Sequence, residues 1–326
     1  MRRLGAILKI DSLLSALRRR TGRLRGRAVA AGRRLFAGTR RRVSAGGAGG
    51  IEAGRLIWMF GSGRSGSTWL AAMMEEMEDH HVWFEPRVGS LFDPAEIERY
   101  KGQNFILAPR YRSVWLELIR ELVLRSAEAR FPEAFGEYLL IKEPGGSVGA
   151  PLLMEALPES RMILLTRDPR DVAASWLDAN RKGGWRTQRQ GDGGRRAEEF
   201  VAANPNAFVK HHAEAYLQGV GNAWKAYEAH RGRKVVVRYE DLRVDTLGTM
   251  RRMYSDLGIP VSEQSFARTV EKHAWENIPE EEKGEGKFYR KASPGGWRED
   301  LTPHQVRIIE EITGPLLAEF YPDADR

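Results

Sequence analysis

The stretch LIWMFGSGRSGSTWL, residues 56–70, constrains the fold more than any other part of the chain. An apolar run of strand length enters a turn containing Gly61, Gly63 and Gly66. A helical pattern then opens at Ser67. Glycines let the backbone approach a ligand closely, so successive N–H groups can converge on an anion. The helix start adds its own unpaired N–H groups and the positive end of its dipole. Arg64 brings a formal charge, and Ser65, Ser67 and Thr68 bring hydroxyl donors.

A strand–loop–helix unit of this kind needs a sheet around it, and the remaining sequence supplies one. Short apolar runs at 82–84, 138–142, 161–166 and 235–239 read as further strands. Between and after them, helical patterns cover about 67–79, 113–130, 148–157, 170–179, 207–230, 246–257 and 302–319. The alternation predicts an α/β fold: a three-layer, doubly wound and mostly parallel sheet with right-handed crossovers and helices on both faces. Residues 181–198, RKGGWRTQRQGDGGRRAE, are polar and Gly-rich. They read as irregular, either a disordered insertion or a loop that orders over a ligand.

Charge divides the chain unevenly. Residues 1–50 hold thirteen arginines and Lys9 against Asp11, a surplus of thirteen. The whole chain is only +8, so the remainder is net −5. The basicity belongs to an N-terminal extension, residues 1–54, which ends in the Gly-rich linker 43–54. A single domain is expected over 55–326. Leu4, Ile7, Leu8, Leu14 and Leu17 fall near helical spacing ahead of three arginines. Residues 1–42 are therefore a candidate contact for an anionic membrane surface, or else a solvated arm. No apolar stretch approaches the roughly eighteen residues of a membrane span, and no signal-peptide pattern is present. The expected location is the cytoplasm, with the extension able to hold the protein at a membrane periphery. The chain has no cysteine, which excludes disulfides, thiolate catalysis and cysteine metal ligands.

The loop departs from the triphosphate-binding pattern G-x-x-x-x-G-K-[ST]. Gly61, Gly66 and Thr68 fit it, but Ser67 stands where the lysine should be. Without that lysine the contact to the β- and γ-phosphates is lost, and the cation sits three residues upstream, at Arg64. The run Arg64-Ser65-Gly66-Ser67-Thr68-Trp69 instead resembles the 5′-phosphosulfate loop of sulfotransferases that use 3′-phosphoadenosine 5′-phosphosulfate (PAPS) and release PAP. That resemblance implies a P-loop-NTPase-like fold. It also implies that Arg64, Ser65, Gly66, Ser67 and Thr68 hold the 5′-phosphate and sulfuryl group, with Trp69 near the adenine. The plainer reading of Trp69 is core packing in the first helical turn.

A second element strengthens the likeness. RMILLTRDPRDVAASWL, residues 161–177, is a buried strand ending at Arg167, with Ser175 eight residues on and Pro169 suited to a helix start. It is similar to the sulfotransferase element whose arginine and serine bind the 3′-phosphate, which implies that role for Arg167 and Ser175. A guanidinium suits it, because its planar fork donates two bonds to one phosphate. The alternative is an ordinary turn in which Arg167 pairs with Asp171. VVVRYEDL (235–242) resembles the family's strand ending in a tyrosine near the adenine, here Tyr239. KFYRKASPGGW (287–297) resembles its late basic loop and carries over Arg290 and Lys291 for the 3′-phosphate. Ala292 replaces the family's glycine there. The matches span about residues 56–320.

Sulfuryl transfer requires in-line positioning, cations on the leaving side and a base on the acceptor side. The resemblance places the base at Glu85, in Glu85-Pro86-Arg87. It places cations at Lys142, in Lys142-Glu143-Pro144, and at Arg64, with Glu143 as the rival base. The acceptor is a hydroxyl or amine, with a glycan or glycolipid favoured. No metal is expected: His80–His81 and His211–His212 are adjacent pairs and no H-E-x-x-H pattern occurs. Two other functions share parts of this grammar. A P-loop small-molecule kinase would turn over ATP with Mg²⁺. A membrane or nucleic-acid binder would act through the arginine-rich extension, although no specific nucleic acid is expected.

Overall fold

The computed structural model describes residues 50–100, 104–189, 192–287, 289 and 293–322. The basic residues 1–49, including all of the candidate membrane contact, lie outside the described residues, as do Arg290 and Lys291. Ile51 and Ala53 are buried in the core, so packing begins inside the expected linker rather than at Arg55.

Five strands form one sheet: β1 (Leu56–Gly61), β2 (His80–Phe84), β3 (Tyr138–Lys142), β4 (Arg161–Thr166) and β5 (Lys234–Arg238). Their order is β2-β3-β1-β4-β5, and every pairing is parallel. The strand that feeds the Gly-rich loop is thus central, and all six of its residues are buried. Strand periodicity divides its side chains between two cores. Leu56, Trp58 and Phe60 join one cluster, while Ile57 and Met59 join the other. β4 divides in the same way, Met162 and Leu164 against Ile163 and Leu165. Two-sided burial explains why these strands read as unbroken apolar runs.

The helices cover both faces. On one lie α1 (Ser67–Glu75), α2 (Thr246–Leu257) and α3 (Glu263–Lys272), through Met73, Met74, Met253, Leu257 and Phe266. On the other lie Arg112–Arg130, Pro205–Ala229 and Pro303–Phe320, through Ile119, Val220, Ala223 and Leu316. None of the helices described is long and apolar enough to cross a membrane.

The sheet is parallel throughout and three layers deep, as expected, and several local expectations need correction. Residues 181–198 are more regular than expected: after a turn at 181–184, helices form at Trp185–Arg189 and Asp192–Ala203. Tertiary contacts override the glycine content there. The Trp185 N–H donates to the Gly286 carbonyl (2.8 Å), Gly194 packs against the Thr187 backbone, and Val201 is buried. The helix expected at 148–157 is a 3₁₀ turn, Pro144–Gly149, followed by Ala150–Ala156. Tyr239 opens the short helix Tyr239–Val244 rather than ending β5. The helix Glu263–Lys272 was not anticipated; its N-cap is Ser262.

Close packing at the end of β1 has a consequence for stability. A Cβ on Gly61 would collide with the Leu165 carbonyl oxygen across the β1–β4 pair. Gly61→Ala is therefore expected to destabilise the protein by about 2–3 kcal/mol, since neither backbone can move freely. Urea unfolding checks this, and an unchanged midpoint would contradict it.

Candidate active site

The loops leaving the C-terminal ends of parallel strands gather at one edge of a sheet. Here they enclose a cleft of ≈ 370 Å³. Arg64, Gly66, Ser67, Thr68, Trp69, Glu85, Lys142, Arg167, Ser175 and Tyr239 all line it. Ser65 does not: it is fully buried and donates its hydroxyl to the Ser62 carbonyl (2.7 Å), which braces the loop from within.

The loop after β1 is held open by its own backbone. Gly66, at φ 85°, is the N-cap of α1, and Arg64 is also left-handed at φ 69°. A side chain at Gly66 would meet the Tyr239 ring at 2.5 Å. The Gly61 N–H donates to Ser147 Oγ (2.8 Å), tying the loop to the turn after β3. The Arg64 guanidinium crosses the cleft. Its Nε donates to Ser175 Oγ (3.0 Å), and its Cζ lies 5.3 Å from the centre of the Trp185 ring.

Arg167 leaves β4 and meets this loop from the other side. It donates to the Arg64 carbonyl (3.0 Å) and lies over the Tyr239 ring at 4.4 Å. Its Nε is buried without a hydrogen-bond partner. The alternative pairing with Asp171 is loose, at 4.0 Å. Asp171 is occupied elsewhere, accepting from the N–H groups of Gly295 (2.8 Å) and Trp297 (3.0 Å). Burial pushes its carboxyl up, against the pull of Arg167 and those two N–H groups. It thereby fixes the turn 294–296 that leads into the short helix Trp297–Asp300.

Trp69 is neither loose nor purely core. Its indole N–H donates to the His273 carbonyl (2.9 Å), and it meets Tyr239 edge-on at 6.5 Å. Arg243 lies over it at 5.3 Å and over Trp275 at 5.8 Å. These rings form an aromatic end to the cleft, opposite the acid–base end.

At that other end Lys142 closes β3. It is 1 % exposed, its Nζ donates to Glu85 Oε1, and it sits 3.8 Å from the centre of the Phe84 ring. Burial lowers its pKa, and the Glu85 carboxylate opposes that shift. The Glu85 side chain is 41 % exposed and borders the cleft. It stands on an unusual strap: Glu85 (φ 49°) and Arg87 (φ 59°), on either side of Pro86, are both left-handed. The strap continues to Gly89, which meets Gly146 and Gly149 backbone to backbone, with no room for a Cβ.

Glu143, the rival base, is completely buried and does not line the cleft. Burial pushes its carboxyl up to about 7, against the Arg87 and Gly89 N–H groups that stabilise its charge. His81 bonds Glu137 (2.5 Å) on β2, outside the cleft. Among the described residues no cluster of three or more His, Asp or Glu could hold a metal.

Sequence reasoning missed Trp176, Trp185, Trp275 and Arg243, all of which line the cleft. Trp176 directly follows Ser175 and covers Gly63. Its ring stacks on His212 at 5.0 Å, and burial pushes that imidazole down to about 3. Trp185 sits in the segment expected to be irregular. Its aromatic character amid Gly and Arg was the available signal.

The family model of the sulfotransferase domain matches residues 55–321. Cytosolic sulfotransferase 17 of Arabidopsis thaliana is 22 % identical, the match covering 71 % of this chain and 79 % of that protein. Human carbohydrate sulfotransferase 3 is 29 % identical over 180 residues, 52 % of this chain and 35 % of that protein. Two solved structures share the fold. A mouse sulfotransferase complexed with PAP superposes with a TM-score of 0.53 at 15 % identity, covering 85 % of this chain and 88 % of that one. A sulfotransferase of Mycobacterium avium does so at 0.52 and 16 %, covering 83 % and 78 %.

Proposed function

The chain belongs to the sulfotransferase domain family, and on that premise we propose that its cleft moves the sulfuryl group of PAPS to an acceptor hydroxyl or amine, with Glu85 as base. One observation carries this reading. Glu85 and Lys142 form an ion pair at one end of the same cleft whose other parts are the Gly-rich loop, Arg167 and the aromatic end.

The residues suit a nucleotide with separate 5′ and 3′ anions. The loop 61–66 and the start of α1 offer backbone N–H groups to one phosphate. Arg167, with a buried Nε awaiting an acceptor, offers a fork to the other. Ser175 and the Arg64 guanidinium lie between them, hydrogen-bonded to each other. Trp69 and Tyr239, with Trp275 and Arg243, offer flat surfaces to adenine. Arg290 and Lys291 are proposed to bind the 3′-phosphate.

At the reacting end, Lys142 offers positive charge where the leaving oxygen gains negative charge, in a desolvated setting that strengthens the interaction. Glu85, exposed to the cleft and held against Lys142, takes the proton of the acceptor as its oxygen or nitrogen attacks. In the proposed in-line geometry Glu85 serves the acceptor side of the sulfur and Lys142 the leaving side. A glycan or glycolipid acceptor is supported by the similarity to human carbohydrate sulfotransferase 3.

The test is PAP binding by calorimetry, with no metal added. Binding in the micromolar range is expected for the unmutated protein, with ATP at least about tenfold weaker for want of a second anchor. Absence of PAP binding at millimolar concentration, or tight Mg²⁺-dependent ATP binding, would sink the reading in favour of a kinase.

A further inference from the structure

Glu143 is a buried carboxylate with no access to the cleft, yet it contacts the segment that carries the proposed base. Its Oε2 accepts from the Arg87 N–H (2.8 Å), two residues beyond Glu85. Its Oε1 has no hydrogen-bond partner and lies where a Gly146 side chain would be. A carboxylate kept buried with one oxygen unpaired is expensive, so its place calls for an explanation.

The strap supplies one. Two left-handed residues that are not glycine, Glu85 and Arg87, store backbone strain and persist only where surroundings over-determine them. On one side the strap is held by the sheet ladder, the Glu85 N–H donating to the Lys142 carbonyl (2.9 Å). On the other side the Glu143 carboxylate takes the Arg87 N–H. Ser90 Oγ adds a bond to the Gly145 carbonyl (3.1 Å). Glu143 is itself fixed from behind: its N–H donates to the Met59 carbonyl (2.9 Å), and its carbonyl accepts from Ser147 Oγ (3.3 Å). The same hydroxyl oxygen accepts the Gly61 N–H, so strap, buried carboxylate and phosphate loop hang on one frame.

Resting on the proposed transfer with Glu85 as base, we infer that Glu143 is a positioning residue. Its carboxylate, through the Arg87 N–H, holds the strap in the left-handed turn that presents Glu85 to Lys142 and the acceptor. It touches no substrate. An error of an ångström in the base costs rate and leaves donor affinity alone, because the donor is held by other loops.

The test is a double-mutant cycle with Glu85→Gln. Turnover is read as transfer from labelled PAPS to a mixture of neutral oligosaccharides or, where none accepts, to water. PAP affinity is read by calorimetry on every variant. Glu143→Gln keeps an oxygen for the Arg87 N–H and is expected to lower kcat about 3- to 10-fold; Glu143→Ala lowers it about 100-fold. PAP affinity stays within about twofold in both. In the Glu85→Gln background either change alters kcat less than about twofold, because the group whose position they govern is gone. A merely structural role predicts instead that the losses multiply and that PAP binding weakens. Either result would overturn the inference. So would Glu143→Gln as slow as Glu143→Ala beside a nearly active Glu85→Gln, which assigns the base to Glu143. Should Glu143→Ala fail to fold, Glu143→Gln decides by the same comparison. Failure of the unmutated protein to bind PAP overturns the donor reading together with this one, whereas multiplying losses with PAP binding intact overturn this one alone.

Discussion

Glu85→Gln lowers kcat by about 10²- to 10⁴-fold while PAP affinity stays within about twofold, because general-base contributions are of that size and the nucleotide anchors are untouched. Glutamine is nearly isosteric, and its amide oxygen can still accept from the Lys142 ammonium, so the geometry at the cleft floor is kept. What disappears is the capacity to take a proton. The ion pair contributes a second effect. Lys142 is buried, and the Glu85 carboxylate helps keep it charged. Without that charge burial lowers the Lys142 pKa further, toward a neutral amine that holds the leaving oxygen less well. Initial rates with labelled PAPS, beside calorimetry with PAP, separate chemistry from binding. A Glu85→Gln protein within threefold of the unmutated kcat would remove the base assignment.

Arg167→Ala shows the opposite split, with PAP affinity falling about 10²- to 10³-fold. A guanidinium fork on a phosphate makes two charge-assisted bonds, each contributing about 1.5–3 kcal/mol when the alternative is an unmatched buried anion. Arg167 also braces the Arg64 carbonyl and packs on Tyr239, so its loss loosens both loops. Arg167→Lys keeps the charge without the fork, and about tenfold of the loss should return. Calorimetry measures all three proteins directly. An Arg167→Ala protein that binds PAP within threefold of the original would show that the 3′-phosphate sits elsewhere.

Much of the architecture was readable because its causes are local and periodic. The central strand 56–61 and the strand 161–166 are buried on both faces, and each appears in the sequence as an uninterrupted apolar run. The residues of the loop and of the end of β4 that line the cleft were legible because the proposed phosphate binding calls for few residue types: glycines for close approach, arginine for the fork, serine and threonine for donors. Other features were not legible, each for a stated reason. Trp185 and the helices at 185–203 depend on contacts with Gly286 and Thr187, which propensity cannot foresee. Glu85 and Glu143 are two carboxylates in similar settings by sequence, each beside a proline. Only burial tells them apart, one opening on the cleft and the other sealed beneath it. The bond between Arg64 and Ser175 joins residues 111 positions apart and leaves no trace in either motif.

Gly89, Gly146 and Gly149, where the strap crosses the turn after β3, set the molecule's mutational freedom. A carbon added at Gly89 or Gly149 would press on the facing main chain, and one added at Gly146 would meet the Glu143 carboxylate, so each change would disturb the strap that carries Glu85. Those three positions have no neutral alternatives, whatever the acceptor. Divergence toward new acceptors is thereby channelled to the rim of the cleft, away from that frame. A library aimed at altered acceptor choice should vary the rim and leave the crossing intact.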